Sequence, residues 1–262
     1  ERSLPSHDLA TIAAFDRTPG GDVWYITYEH TPLHTQPLIR GHLFQVHDGA
    51  LISYDSPKDT WSSYPSLQII DDRRVLLAHV HTAMGPPWQN SVALFDNGGT
   101  PQDSTDDQWQ QYPNASEHPL VAAAMDTLQR LWYADETGIY RYENGAWRQI
   151  STFTSACRLV PAAGGAMMAL WGWPGCGNIY NSVHLIQAND EVRTEDLANL
   201  VKSDFDLVQS ATLHNAQWAV APDGAVWFLT RGDDDDLHLH RYDGSHERNY
   251  TTPLSTSSLV ST

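Results

Sequence analysis

Short runs of bulky, β-prone residues recur along this chain in pairs, each pair separated by a turn rich in Asp, Gly or Pro. The clearest pair is residues 216–221 and 226–230, joined by Pro222-Asp223-Gly224. Two apolar runs linked this way predict a β-hairpin. The phrase repeats at 10–15 and 23–27 around Pro19-Gly20-Gly21-Asp22, and at 67–70 and 75–79 around Asp71-Asp72. It repeats again at 120–124 and 131–135 around Asp126-Thr127, and at 158–161 and 167–171 around Gly164-Gly165. The second runs start at 23, 75, 131, 167 and 226, so a constant sheet unit carries loops of variable length.

A third run ending in a polar turn follows each hairpin, at 50–54, 92–98, 138–145, 183–186 and 237–244. A mostly polar fourth run follows in four units, at 60–64, 108–112, 146–150 and 246–250, with Trp61, Trp109 and Trp147 in second place. Inner apolar strands with a polar outer strand describe a propeller blade. The expectation is therefore all-β: one β-propeller domain over 1–262, with five four-stranded blades and six as the alternative. Two stretches fit less well. Residues 191–200, apolar at 192, 197 and 200, read as a short helix. Residues 41–49 form an extra segment that is itself a rival for the third strand of the first blade. The tail at 257–260 echoes the start of another first strand, which either closes the ring beside the N-terminus or begins a further element.

The phrase Gly224-Ala225-Val226-Trp227-Phe228, with Leu239-His240-Arg241-Tyr242-Asp243-Gly244 behind it, resembles the regulator-propeller repeats of extracytoplasmic sensor proteins. It is also similar to the blade motif of the virginiamycin B lyase family. The resemblance covers nearly the whole chain and implies the propeller fold and an extracytoplasmic sensing role. Those propellers usually have seven blades, more than this length supplies, and no residue set here matches the lyase's catalytic His and Glu. Residues 53–61 resemble an Asp-box with Pro57 in place of its Gly. In families that carry it, the box is a folding element at the turn between third and fourth strands.

Composition narrows the partners. A net charge of −17, with 32 acidic against 15 basic residues, argues against nucleic acid, whose phosphates need a basic footprint. No apolar stretch reaches the roughly 18 residues that span a bilayer. The chain opens at Glu1 without Met, which reads as a processed or excised piece of a larger sensor or surface protein. Cys157 and Cys176 flank a predicted hairpin and are either bridged or separate buried thiols. Two sequons, at Asn114 and Asn249, matter only in a glycosylating host.

Equivalent positions in a ring of repeats face the same end, so residues just past each second strand predict a ligand-binding mouth. These are Tyr28, Glu29, His79, His81, Asp135, Glu136, Trp171, Trp173 and Arg231, with Trp88 from the loop at 84–88. Aromatic walls with a few polar groups suit a small polar ligand or a glycan. His79 and His81 have the spacing of a metal pair, as have His238 and His240, but no third ligand is fixed by spacing, so neither metal nor cofactor is expected. Asp233–Asp236 lacks the spaced oxygens of a calcium loop and reads as a solvated hairpin tip. Glu29, Asp135 and Glu136 are the candidates for a carboxylate pair of the kind glycosidases use, and their separation across the mouth decides whether that chemistry is possible. Three function classes follow: an extracytoplasmic ligand-recognition domain, a lyase or glycosidase working at the same mouth, and a protein-interaction scaffold.

Overall fold

The computed structural model describes residues 10–29, 40–54, 65–79, 91–154, 156–172, 180–196, 218–221, 225–231, 237–242 and 247–251. They form five four-stranded antiparallel sheets in two compact units, Glu1–Ala123 and Ala124–Thr262. In the first unit, sheet one runs β1 (Ala10–Arg17), β2 (Val23–Glu29), β3 (Arg40–His47) and β4 (Ala50–Tyr54). Sheet two runs β5 (Pro65–Ile69), β6 (Arg74–His79), β7 (Ser91–Asp96) and β8 (Gln108–Tyr112).

In the second unit, sheet three runs β9 (Ala122–Met125, starting just before the boundary), β10 (Leu131–Ala134), β11 (Ile139–Glu143) and β12 (Ala146–Ser151). Sheet four runs β13 (Ala156–Pro161), β14 (Met167–Gly172), β15 (Tyr180–Ile186) and β16 (Val192–Asp196). Sheet five runs β17 (Trp218–Val220), β18 (Val226–Arg231), β19 (Leu237–Tyr242) and β20 (Glu247–Thr251). Each sheet is a meander in which every strand pairs with the next in sequence.

One turn builds all five inner hairpins. The amide of the first turn residue donates to the carbonyl four residues on, at Thr18–Asp22, Ile70–Arg74, Asp126–Arg130, Ala162–Ala166 and Ala221–Ala225, at 2.8–3.0 Å. The third-to-fourth turns of sheets one and three are two-residue loops, Asp48-Gly49 and Asn144-Gly145, with both residues at positive φ. Asn, Asp and Gly tolerate that conformation, and its twist matches the flanking strands.

The structure corrects two expectations. In sheet one, 40–47 is the third strand and 50–54 the fourth, because the tight Asp48-Gly49 turn pairs His47 directly with Ala50. The Asp-box segment therefore begins at the end of a fourth strand, not at a third-to-fourth turn; the rest of it and 60–64 lie outside the described residues. The second correction is β16. Residues 192–196 are a strand, not the start of a helix, because they pair with β15 from Ile186–Val192 to Ser182–Asp196. An edge strand is held by those backbone bonds and needs no apolar period of its own. Residues 197–200 and the tail at 257–260 lie outside the described residues.

Burial follows the meander. Val75–Ala78 in β6, Leu131–Ala134 in β10 and Met167–Leu170 in β14 are buried on both faces. Over 23–27 of β2, Trp24 and Ile26 are buried, while Val23, Tyr25 and Thr27 stay half-exposed. The first unit's core joins Trp24, Ile26, Leu43 and Tyr54 of sheet one to Val75, Leu77 and Phe95 of sheet two. Trp24 stacks on Tyr54 at 5.3 Å and meets Phe95 edge-on at 5.9 Å.

The repeat also exposes a flaw. Trp132 donates its indole N–H to Asp126 in the turn before it (2.8 Å), whereas the equivalent Trp24 N–H is buried without an acceptor. Thr18 stands where sheet three has Asp126, and its hydroxyl accepts only from the amide of Asp22 (3.1 Å) among the described contacts. Thr18→Asn supplies an amide oxygen for both donors without crowding a second charge against Asp22. It is expected to stabilise the protein by about 1 kcal/mol, read from the midpoint of urea unfolding.

Candidate functional site

The backbone puts the sequence-predicted residues at one end of their sheets. Tyr28 and Glu29 close β2, His79 closes β6, Trp171 is next to last in β14 and Arg231 closes β18. Asp135 and Glu136 follow β10 directly. His81, Trp88 and Trp173 lie outside the described residues, as do the loops at 84–88 and 173–179 and the acidic run 233–236. His238 and His240 sit in β19, in register with Thr230 and Phe228.

The connection after β10 is the one described in atomic detail, and it shows how such an end is built. Asp135 is fully buried. Its Oδ1 accepts from the amides of Thr137 (2.7 Å) and Gly138 (3.0 Å) and from the Thr137 hydroxyl (2.6 Å). The Asp135 amide donates to the Gly138 carbonyl (3.0 Å), closing the turn. With its proton directed to Asp135, the Thr137 hydroxyl receives one from Tyr140 (2.6 Å). Gly138 has φ 157°, and a Cβ there would strike the Ser151 carbonyl. This is an Asx turn that locks a four-residue loop, and the pattern Asp-x-Thr-Gly at 135–138 is its sequence signal.

The two acids differ in consequence. Asp135 positions the loop, whereas Glu136 beside it is exposed. Asp135→Ala is expected to lower stability by about 1–3 kcal/mol, since it strands buried donors. Glu136→Gln is expected to leave the urea midpoint unchanged. Equal destabilisation by both variants would contradict this division.

The opposite end of the sheets is closed by short turns and ordered polar networks. In the first unit, Gln45 and Asn97 are fully buried. Gln45 donates to Asp22 (2.7 Å) and accepts from the Tyr54 hydroxyl (2.5 Å) and the Asn97 amide (3.1 Å). Burial pushes the Tyr54 phenol up to about 12. Turn meets turn between neighbouring sheets: the Gly20 amide donates to Asp72 (2.8 Å), and Arg130 donates to the Gly165 carbonyl (2.6 Å).

Two histidines respond to pH with opposite sign. His47 bonds Asp22 at 2.8 Å, and that hydrogen bond raises its pKa. Its contribution is complete below the ordinary value of about 6.5 and is lost as pH rises through the folded value. His184 lies buried against Phe153, and burial lowers its pKa. Its contribution is complete above about 6.5 and is lost as pH falls through the folded value. His47→Gln is therefore expected to leave a stability that only rises with pH across this window. The check is chemical unfolding of both proteins from pH 5 to 8, and an unchanged pH profile in the variant would contradict the assignment.

Cys157 is disulfide-bonded; Cys176, the chain's other cysteine, lies outside the described residues. No group of three His, Cys, Asp or Glu among the described residues is placed to hold a metal ion. No helix among them is long and apolar enough to cross a membrane.

The sequence matches no family model and no curated protein. Solved structures do resemble the fold. The chain is similar to PorZ, a bacterial surface component of the type-IX secretion system of Porphyromonas gingivalis, with TM-score 0.55 and 15% identity. That match covers 95% of this chain and 33% of PorZ, so the chain spans about a third of that protein's length. It is similar to YCF48, solved bound to a D1 peptide, with TM-score 0.54, 11% identity and coverage of 95% and 69%. A protein of unknown function from Bacteroides caccae gives TM-score 0.53 and 11% identity, covering 94% and 84%. Together with the five meander sheets, the likeness establishes the β-propeller fold.

Proposed function

We propose that this chain is an extracytoplasmic ligand-recognition propeller, with a small polar ligand or glycan held at the ends of the second strands. One observation carries the reading: the connections at the two ends of the sheets differ in how constant their length and composition are. At one end the same five-residue turn bond recurs in all five sheets. At the other, connections run through 30–39, 80–90, 135–138, 173–179 and 232–236, unequal in length and composition. A constant scaffold end and a variable end are how loops carry specificity on a rigid sheet. The residues proposed for contact are Tyr28, Glu29, His79, His81, Trp88, Glu136, Trp171, Trp173 and Arg231, with Asp135 as the residue that positions Glu136. The fold shared with a bacterial surface component supports the extracytoplasmic placement and a role within a larger surface or sensor protein.

A second reading has its own support. The fold likeness to YCF48, solved with a peptide bound, favours a protein-interaction scaffold as the alternative. Intrinsic tryptophan fluorescence, titrated with a glycan panel while the same mixtures are assayed for product, separates the classes. A saturable shift without product supports recognition. Product formation makes the chain a lyase or glycosidase, and silence across the panel favours the scaffold.

A further inference from the structure

The dipeptide Asn-Gly occurs at 97–98 and at 144–145, and the fold treats the two copies in opposite ways. Asparagine followed by glycine has a reaction of its own. The glycine nitrogen, with no Cβ beside it to hinder approach, attacks the carbonyl carbon of the asparagine side chain. A bond forms between them, the bond to Nδ2 breaks, and Nδ2 leaves as ammonia with the proton that the backbone nitrogen gives up. Water then opens the cyclic imide at either carbonyl, leaving aspartate or isoaspartate. Water is the one co-reactant.

At Asn97 the fold blocks each requirement. The side chain is fully buried, its amide donates to Gln45 (3.1 Å) and its Oδ1 accepts from the Gly99 amide (3.0 Å). The attacking nitrogen is engaged too, since the Gly98 amide donates to Asp96 (2.9 Å). A Cβ on Gly98 would strike the Asp106 carboxylate, so a side chain also covers this turn.

Asn144 has the reverse setting. It opens the two-residue turn between β11 and β12, and both it and Gly145 are exposed. No hydrogen bond to the Asn144 side chain or the Gly145 amide occurs among the described contacts. Apart from its chain neighbours, nothing lies within 4 Å of where a Gly145 Cβ would stand. The matching turn of sheet one has Asp48 in this place, with no amide to lose.

We propose that Asn144 is a site of spontaneous covalent modification, deamidating through Gly145 to aspartate and isoaspartate. Isoaspartate routes the backbone through the side chain and lengthens a loop that pairs Glu143 directly with Ala146. Either product also sets a new carboxylate beside Glu143, which already pairs with Arg141 and Arg148. The modification loosens the outer hairpin of sheet three, at the end opposite the loop at 135–138. It proceeds whether or not the second-strand ends bind a ligand.

The test is peptide mass spectrometry on the whole chain after days at mildly alkaline pH, native and in urea. The peptide holding Asn144 is expected to gain the mass of an amide turned acid, and enzymatic isoaspartyl methylation identifies the rearranged product. Native conversion at Asn144 is expected within about tenfold of its rate in urea, while Asn97 is slowed at least about a hundredfold because it reacts only through local opening. Asn144→Asp, which suits the same turn, is expected to abolish the time-dependent mass gain of that peptide. Native conversion of Asn97 as fast as that of Asn144 would overturn the proposal. So would a native Asn144 that stays intact while the unfolded chain converts, and so would a mass gain without isoaspartate.

Discussion

Asp126→Ala is expected to destabilise the protein by about 3–5 kcal/mol, the range for stripping one partner from a buried ion pair. The Asp126 carboxylate is wholly buried and takes four donors: the amides of Leu128 (2.9 Å) and Arg130 (3.0 Å), Arg130 Nε (2.7 Å) and Trp132 Nε1 (2.8 Å). Alanine leaves the buried indole N–H without its acceptor and frees the guanidinium that also bonds the Gly165 carbonyl in the next sheet. Two turns lose their shared anchor at once. Asp126→Asn keeps the shape and some acceptor capacity, so its expected loss is smaller, about 1–3 kcal/mol. Urea unfolding followed by far-UV circular dichroism measures both; an alanine variant within about 0.5 kcal/mol of wild type, the range of ordinary surface changes, would contradict the account.

The second large effect involves the same indole. Arg141 is buried, with its guanidinium 5.0 Å from the Trp132 ring. It pairs with Glu143 (2.5 Å) and Asp190 (2.6 Å), and Arg148 bridges the same two carboxylates at 3.0 and 2.6 Å. These contacts tie sheet three to the third-to-fourth turn of sheet four, and they hold the carboxyls of Glu143 and Asp190 below the usual range. Arg141→Met is expected to cost about 3 kcal/mol or more, because two carboxylates lose their buried partner. Arg148→Gln, at the exposed margin, is expected to cost far less than Arg141→Met, since solvent screens its pairs. Since Asp126 and Arg141 both contact Trp132, Asp126→Ala and Arg141→Met together should depart from additivity by about 0.5–3 kcal/mol in a double-mutant cycle.

Much of the fold is legible in the sequence because turn chemistry is local. Asp, Gly and Pro at the hairpin turns, followed by bulky runs, locate the second strands to within a residue. The errors have equally physical causes. Val192, Leu197 and Leu200 mimic a helical spacing, but the backbone of 192–196 is claimed by β15, and no single-strand pattern records that. In sheet one the Asp48-Gly49 signal was present, yet the apolar runs on its two sides gave rival third strands, and only pairing decides between them. The ends of the second strands were legible as equivalent positions. The different work of Asp135 and Glu136 was not, because it depends on which carboxylate folds back onto its own turn. Buried Arg141 and the Asp126 anchor leave no periodic trace at all, since a polar residue in a core is recognised only by the partners around it.

In the proposed division of labour, one end of the sheets is scaffold and the other binds. Hydrogen-exchange mass spectrometry, with and without the glycan giving the largest fluorescence shift, tests it most directly. The account predicts added protection at 27–29, 134–138, 171–172 and 230–231, with the turns at 18–22, 70–74, 126–130 and 162–166 unchanged. Protection confined to those turns would contradict it.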